Sequence, residues 1–241
     1  MSLNAQETMK PLLYLASTEP WPGSKISSAV QAVVIDATGG DAAKQAFPTA
    51  TGRRRRTYLL LARIGPAANV GDADLDPLVA SHVDGVVLAG CRGPADIQKI
   101  DVMLKVAEAT AGVPQGRTAL LAEYATVPES ALSPHSLAGI SPRLSALIFD
   151  ASALAAACGL KRVTETGDVP VVVRAARAAA ILRAHEAGIA AYEMLAADAL
   201  DEWTVQRLRA NSLENGFSAV AVRSQQQIDL LAAAGVPTAG K

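Results

Sequence analysis

Eight short apolar runs recur along this 241-residue chain, each followed by helix-forming sequence, and few folds accommodate that rhythm. The runs are Pro11–Ala16, Ala32–Asp36, Thr57–Arg63, Gly85–Leu88, Ala119–Glu123, Ser145–Phe149, Ala190–Met194 and Ala219–Val222. They are apolar throughout rather than alternating, which marks strands buried on both faces. A parallel sheet covered by helices buries strands in that way. Helical sequence lies between them: a segment from about Lys25, then Asp41–Ala46, Leu75–His82, Ala95–Thr110, part of Glu129–Leu137, Ser152–Cys158, Val171–Glu186, Asp201–Asn215 and Ser224–Ala234. Gly159, Gly188 and Gly216 follow three of these segments, where helix C-termini favour glycine. Eight such units predict an α/β chain folded as a single (β/α)8 TIM barrel, for which ~250 residues is usual, rather than an open doubly wound sheet. No linker breaks the pattern, so one domain is expected over residues 1–241, with Met1-Ser2-Leu3 set aside as resembling an expression scar.

Bulk properties remove several function classes. A formal net charge of −1 gives no general attraction for nucleic acid or an acidic membrane. Aromatic residues make up 4% of the chain, too few to build a base-stacking surface. The run Arg53-Arg54-Arg55-Arg56 precedes a strand, so it belongs to the face opposite the strand C-terminal ends; a solvated entry loop accounts for it better than nucleic-acid binding. Cys91 and Cys158 have no partner motif, and a reduced intracellular state is expected. No secretory or membrane-spanning apolar stretch is present, so the expected location is the cytoplasm. His82, His135 and His185 lack metal-ligand spacing, and neither a phosphate-cradling glycine loop nor a dinucleotide fingerprint occurs.

Polar residues at the trailing ends of the apolar runs are the candidate site, because strand C-terminal ends converge on one face of such a barrel. Arg63 ends Leu59-Leu60-Leu61-Ala62. There a guanidinium can clamp a carboxylate or phosphate through two hydrogen bonds, or pair with Asp36 or Glu123 as a structural ion pair. Glu123 ends Ala119-Leu120-Leu121-Ala122 and could hold Mg²⁺ through oxygen, or serve as the partner of Arg63. Asp36 ends Ala32-Val33-Val34-Ile35 and is a site candidate, although Asp before Thr38-Gly39-Gly40 also reads as a turn. Asp150, after Leu147-Ile148-Phe149, is either a metal ligand or the N-cap of the helix that follows, the second being favoured.

The order of these segments resembles the citrate lyase β-subunit family of the HpcH/HpaI aldolase superfamily, from about Leu12 to Pro237. The resemblance is carried by Leu12-Leu13-Tyr14-Leu15-Ala16, Val33-Val34-Ile35-Asp36, Leu61-Ala62-Arg63-Ile64-Gly65, Leu120-Leu121-Ala122-Glu123-Tyr124 and Ser141-Pro142-Arg143-Leu144 with Leu147-Ile148-Phe149. It implies a (β/α)8 barrel, usually a homo-oligomer, that uses Mg²⁺ to make or break carbon–carbon bonds in small carboxylic acids or acyl-CoA thioesters. It implies that Arg63 holds the substrate acid and that Glu123 ligates the metal. The chain also departs from the family pattern. Ala153 stands where the family has its second metal-binding Asp, Thr38 and Gly39 replace a Glu and an Asp, and Ala89-Gly90 replaces a Pro-Lys. The expected protein is therefore a divergent lyase with a weakened Mg²⁺ site. The alternative is a non-catalytic paralogue that binds an acid or a partner protein.

Overall fold

A computed structural model describes residues 9–16, 29–39 and 57–233. Eight parallel strands close into a barrel in sequence order: β1 (Leu12–Leu15), β2 (Ala32–Asp36), β3 (Leu59–Ile64), β4 (Gly85–Leu88), β5 (Ala119–Glu123), β6 (Leu144–Phe149), β7 (Ala190–Met194) and β8 (Ala219–Val222). The described helices are α1 (Asp72–Ala80), α2 (Pro94–Thr110), α3 (Pro128–Ala131), α4 (Ala151–Ala157), α5 (Val171–Ala187), α6 (Glu202–Glu214) and α7 (Gln225–Ala233). The expected helices near Lys25 and at Asp41–Ala46, and the run Arg53–Arg56, lie outside the described residues.

Five strands have the bounds expected from sequence, and the remaining elements shift by a few residues for local reasons. Helix α1 begins at Asp72 instead of Leu75, because an Asp74 oxygen accepts from the Gly71 amide at 2.8 Å and so closes the first turn. It stops at Ala80, and His82 turns left-handed at φ 57°. A 3₁₀ turn at Ala67–Asn69, unforeseen in the sequence, follows β3.

Strand parity divides the apolar residues into two layers. One set points into the barrel: Leu12, Tyr14, Val34, Leu61, Val87, Leu121, Ile148, Tyr192 and Met194, with alanines 32, 146, 219 and 221 filling the narrow places. The intervening residues face the helices and join a larger core with Leu75, Leu78, Ile97, Ile100, Leu104 and Val205. Both strand faces are thus buried, as a parallel barrel requires. The interior is tight at β4: a Cβ on Gly85 would lie 2.7 Å from the Ala119 carbonyl oxygen and 3.0 Å from a Leu61 methyl. The closing pair is brief, β1 meeting β8 only at Leu12↔Ala221 and Leu13↔Val222.

At the strand N-terminal end, a buried ion network ties α2 to the segments entering β5 and β6. Arg143, just before β6, donates through Nη1 and Nη2 to Glu108 at 2.7 and 2.6 Å, and through Nε to Asp101 at 2.8 Å. Glu108 also accepts from the Gly116 and Thr118 amides at 2.8 and 2.7 Å. Burial pushes the Glu108 carboxyl up, but the Arg143 guanidinium and these amides outweigh it and hold the group at about 2. A second network lies under the helix layer. There Arg177 of α5 grips Glu193 of β7 at 2.6 and 2.8 Å, and Ser212 of α6 donates to the same carboxylate.

Candidate functional site

The interior parity continues upward into the mouth. Two positions beyond Val34, Leu61, Leu121, Ile148 and Ala221 stand Asp36, Arg63, Glu123, Asp150 and Arg223. Alternation therefore aims five charged side chains at the axis at the strand C-terminal ends. Asp36 and Arg63 are also register partners across β2 and β3.

The charges sort into pairs. Glu123 is 8% exposed and takes Arg63 in a two-bonded fork, Nε to Oε1 at 2.7 Å and Nη2 to Oε2 at 2.9 Å. Arg63 Nη1 reaches Asp36 at 3.5 Å. Asp36 is held more closely by its own loop, one oxygen accepting from the Thr38 amide at 2.9 Å and the Thr38 hydroxyl at 2.6 Å. Across the mouth Asp150 caps α4, with Oδ1 accepting from the Ser152 and Ala153 amides. Its Oδ2 accepts from Arg223 Nη2. Burial lowers the affinity of Arg63 for its proton, but the Glu123 hydrogen bonds and the Glu123 and Asp36 charges more than reverse this. Arg63 is a permanent cation.

Tyr14, on the interior side of β1, completes the cluster. Its hydroxyl is buried and has no hydrogen-bond partner among the described residues. Burial, followed by the Glu123 charge, pushes its pKa well above the usual tyrosine range; Asp150 acts in the same sense, while Arg63 and Arg223 oppose it. The hydroxyl is accordingly neutral and can donate to a ligand.

A cavity of about 300 Å³ is lined by Tyr14, Leu15, Ala16, Asp36, Arg63 and Arg223. Two of the lining residues are arginines with N–H groups to spare: Arg63 Nη1 holds Asp36 only at 3.5 Å, and Arg223 gives one nitrogen to Asp150; the unpartnered Tyr14 hydroxyl is buried on the same strand end. Guanidinium forks and hydroxyl donors together match a carboxylate or another oxyanion. A wider cavity of about 730 Å³ lies beside the start of α2. Its Arg92 is already taken by Asp96 at 3.0 and 2.8 Å.

The structure brings together Asp36, Arg63, Glu123 and Asp150, the four residues singled out in the sequence. It adds Tyr14 and Arg223, which sequence reasoning missed. The signal for Arg223 was present: it trails Ala219-Val220-Ala221-Val222 as Arg63 trails β3. Tyr14 offered only parity, as the polar-tipped residue on the inward side of Leu12-Leu13-Tyr14-Leu15.

As arranged, these carboxylates do not fit a magnesium ion. Both Glu123 oxygens are bonded to Arg63, and Asp150 divides its two between a helix cap and Arg223. Mg²⁺ demands near-octahedral oxygen donors at ~2.1 Å, and here each carboxylate already faces a guanidinium cation. The described residues contain no cluster of three His, Cys, Asp or Glu able to hold a metal. Among them, no helix is long and apolar enough to cross a membrane.

No protein-family model and no curated protein matches the sequence. Solved structures do. RipC from Yersinia pestis superposes with a TM-score of 0.70 at 23% identity, covering 96% of each chain. A citrate lyase β subunit from M. tuberculosis, complexed with oxaloacetate and magnesium, gives a TM-score of 0.67 at 20% identity over 96% of this chain and 98% of that one. The Haloferax volcanii malate synthase magnesium/glyoxylate complex gives 0.76 at 14% identity over 98% of this chain and 78% of that one. The (β/α)8 barrel expected from the eight-run pattern is therefore the fold of this chain, shared over nearly its whole length with the proteins that its strand-end segments resemble.

Proposed function

We propose that the barrel mouth binds a small carboxylic acid, or the acid end of an acyl-CoA thioester, as a divergent member of the citrate lyase β-subunit type. One observation carries this: two arginines, Arg63 and Arg223, line a single 300 Å³ cavity at the strand C-terminal ends together with Tyr14 and Asp36. The small acids held by the similar barrels, oxaloacetate and glyoxylate among them, support the same ligand class. Glu123 braces the Arg63 fork, so that Nη1 points at the acid with little rotamer freedom to lose.

The same groups suit carbon–carbon bond cleavage. Asp36 would accept the proton of a hydroxyl on the carbon being cut. The carbon–carbon bond then breaks, leaving a new carbonyl on one fragment, and its electron pair passes into the neighbouring carbonyl of the other as an enolate. Arg63, Arg223 and the neutral Tyr14 hydroxyl lie where donors are needed to hold that negative oxygen. In the alternative, a non-catalytic paralogue, the acid binds and nothing further happens.

Calorimetric titration with oxaloacetate, pyruvate and acetyl-CoA tests the site, with Arg63→Gln as control. Binding lost in Arg63→Gln supports the acid site, and absence of binding by the unaltered protein overturns it. Release of a carbonyl fragment from a 3-hydroxy acid or its thioester, abolished by Asp36→Asn, would separate the lyase from the binding paralogue.

A further inference from the structure

We infer that Arg223 takes the electrostatic place of a divalent cation at this mouth, so that acid binding here is independent of metal; this rests on the acid site proposed above. The similar citrate lyase β subunit and malate synthase structures contain magnesium together with a small acid. In this chain the two deepest mouth carboxylates, Glu123 and Asp150, are 8% and 6% exposed, and each is matched to an arginine.

The arrangement at Asp150 makes the substitution specific. One oxygen is fixed by two amides at the start of α4, which orients the carboxylate, and the other is covered by Arg223. A carboxylate turned toward a barrel axis ordinarily needs a counter-charge, because removing it from water without one is costly. Arg223 supplies that charge from the end of β8, and its side chain remains 44% exposed toward the cavity. It therefore neutralises Asp150 on one side and offers N–H donors to a ligand on the other. A divalent cation would supply the same positive charge between carboxylate and acid. A guanidinium supplies it without needing six oxygen donors, the requirement this mouth does not meet. Tyr14 lies within electrostatic reach of both arginine–carboxylate pairs.

The test uses the full chain and two separate readouts. Mn²⁺ is first titrated into the acid-free protein and followed by electron paramagnetic resonance. The unaltered protein should leave Mn²⁺ free, because Glu123 and Asp150 are each already matched to an arginine. Oxaloacetate binding is next measured with EDTA and with saturating Mg²⁺. Equal affinities are expected, and Arg223→Gln should weaken both roughly tenfold to a hundredfold, the loss of one or two charge-assisted hydrogen bonds. Arg223→Lys should recover part of that loss, and the melting temperature of each variant checks the fold. Mn²⁺ binding by the unaltered protein that disappears in Glu123→Gln overturns the inference, as does oxaloacetate binding that requires Mg²⁺. Failure to bind oxaloacetate under every condition instead refutes the acid site, while the Mn²⁺ titration still decides whether the arginine-matched mouth holds a metal.

Discussion

Replacing Arg143 with methionine should cost this barrel about 3–5 kcal/mol at neutral pH, the usual penalty for stripping one partner from a buried ion pair. Arg143 is 5% exposed and Glu108 is fully buried, so the pair is shielded from solvent. Glu108 would keep its two amide donors and lose the one counter-charge it has among the described residues. The wild-type pH dependence gives an independent measure. A carboxyl held at about 2 against an ordinary 4.5 contributes about 3 kcal/mol, at ~1.4 kcal/mol per pH unit. Because the folded-state value is depressed, this stability is complete above pH 4.5 and drains away as pH falls toward 2. Urea denaturation at pH 7, 4.5 and 3 would measure both effects. Wild type should weaken across the acid range, and Arg143→Met should start lower and weaken less, since its Glu108 no longer has a depressed value to lose. A variant within about 1 kcal/mol of wild type at pH 7, or one with the full acid slope intact, would show that the network is not what anchors this end of the barrel.

Other perturbations address separate layers. Gly85→Val should destabilise by about 1–3 kcal/mol or more by overpacking against the Ala119 backbone, read as a lower urea midpoint with unchanged m; wild-type stability would mean that the interior can give at β4. Tyr14→Phe should leave stability unchanged or slightly raised, since it removes a buried hydroxyl with no partner among the described residues, yet it should weaken oxaloacetate binding about tenfold. A large stability loss in a thermal melt would reveal a structural bond for that hydroxyl. Among the two thiols, exposed Cys158 should react rapidly with Ellman's reagent, while Cys91, buried and pushed up to about 12, should react only on unfolding. Two fast thiols in the native protein would contradict the burial of Cys91.

The barrel could be read from the sequence because the strands are apolar on both faces and helix-forming sequence lies between them, repeated eight times over a chain of the length one barrel takes. The mouth was only half legible. Arg63, Glu123 and Asp36 announce themselves as charges ending apolar strands, but nothing in the order of residues says that Glu123 gives both oxygens to Arg63. That pairing spans 60 positions and depends on barrel curvature. The N-terminal network was hidden for a similar reason. Glu108 sits late in α2 among exposed and buried neighbours, and only the packing of that helix against the β6 entry brings it to Arg143. Asp150 caps the alanine-rich helix after it, one of the two uses the sequence allows, while its bond to Arg223 again required the closed ring.

The short junction between β1 and β8 lies between two of the residues that line the mouth, and if the mouth binds an acid the consequence falls on that seam. Tyr14 belongs to the first strand and Arg223 follows the last, so an acid gripped by both is a staple across the seam where the ring is joined by two register pairs. Ligand occupancy should then be written into the amide exchange of those two strands more strongly than into any other, and the barrel would be most completely a barrel when it is full.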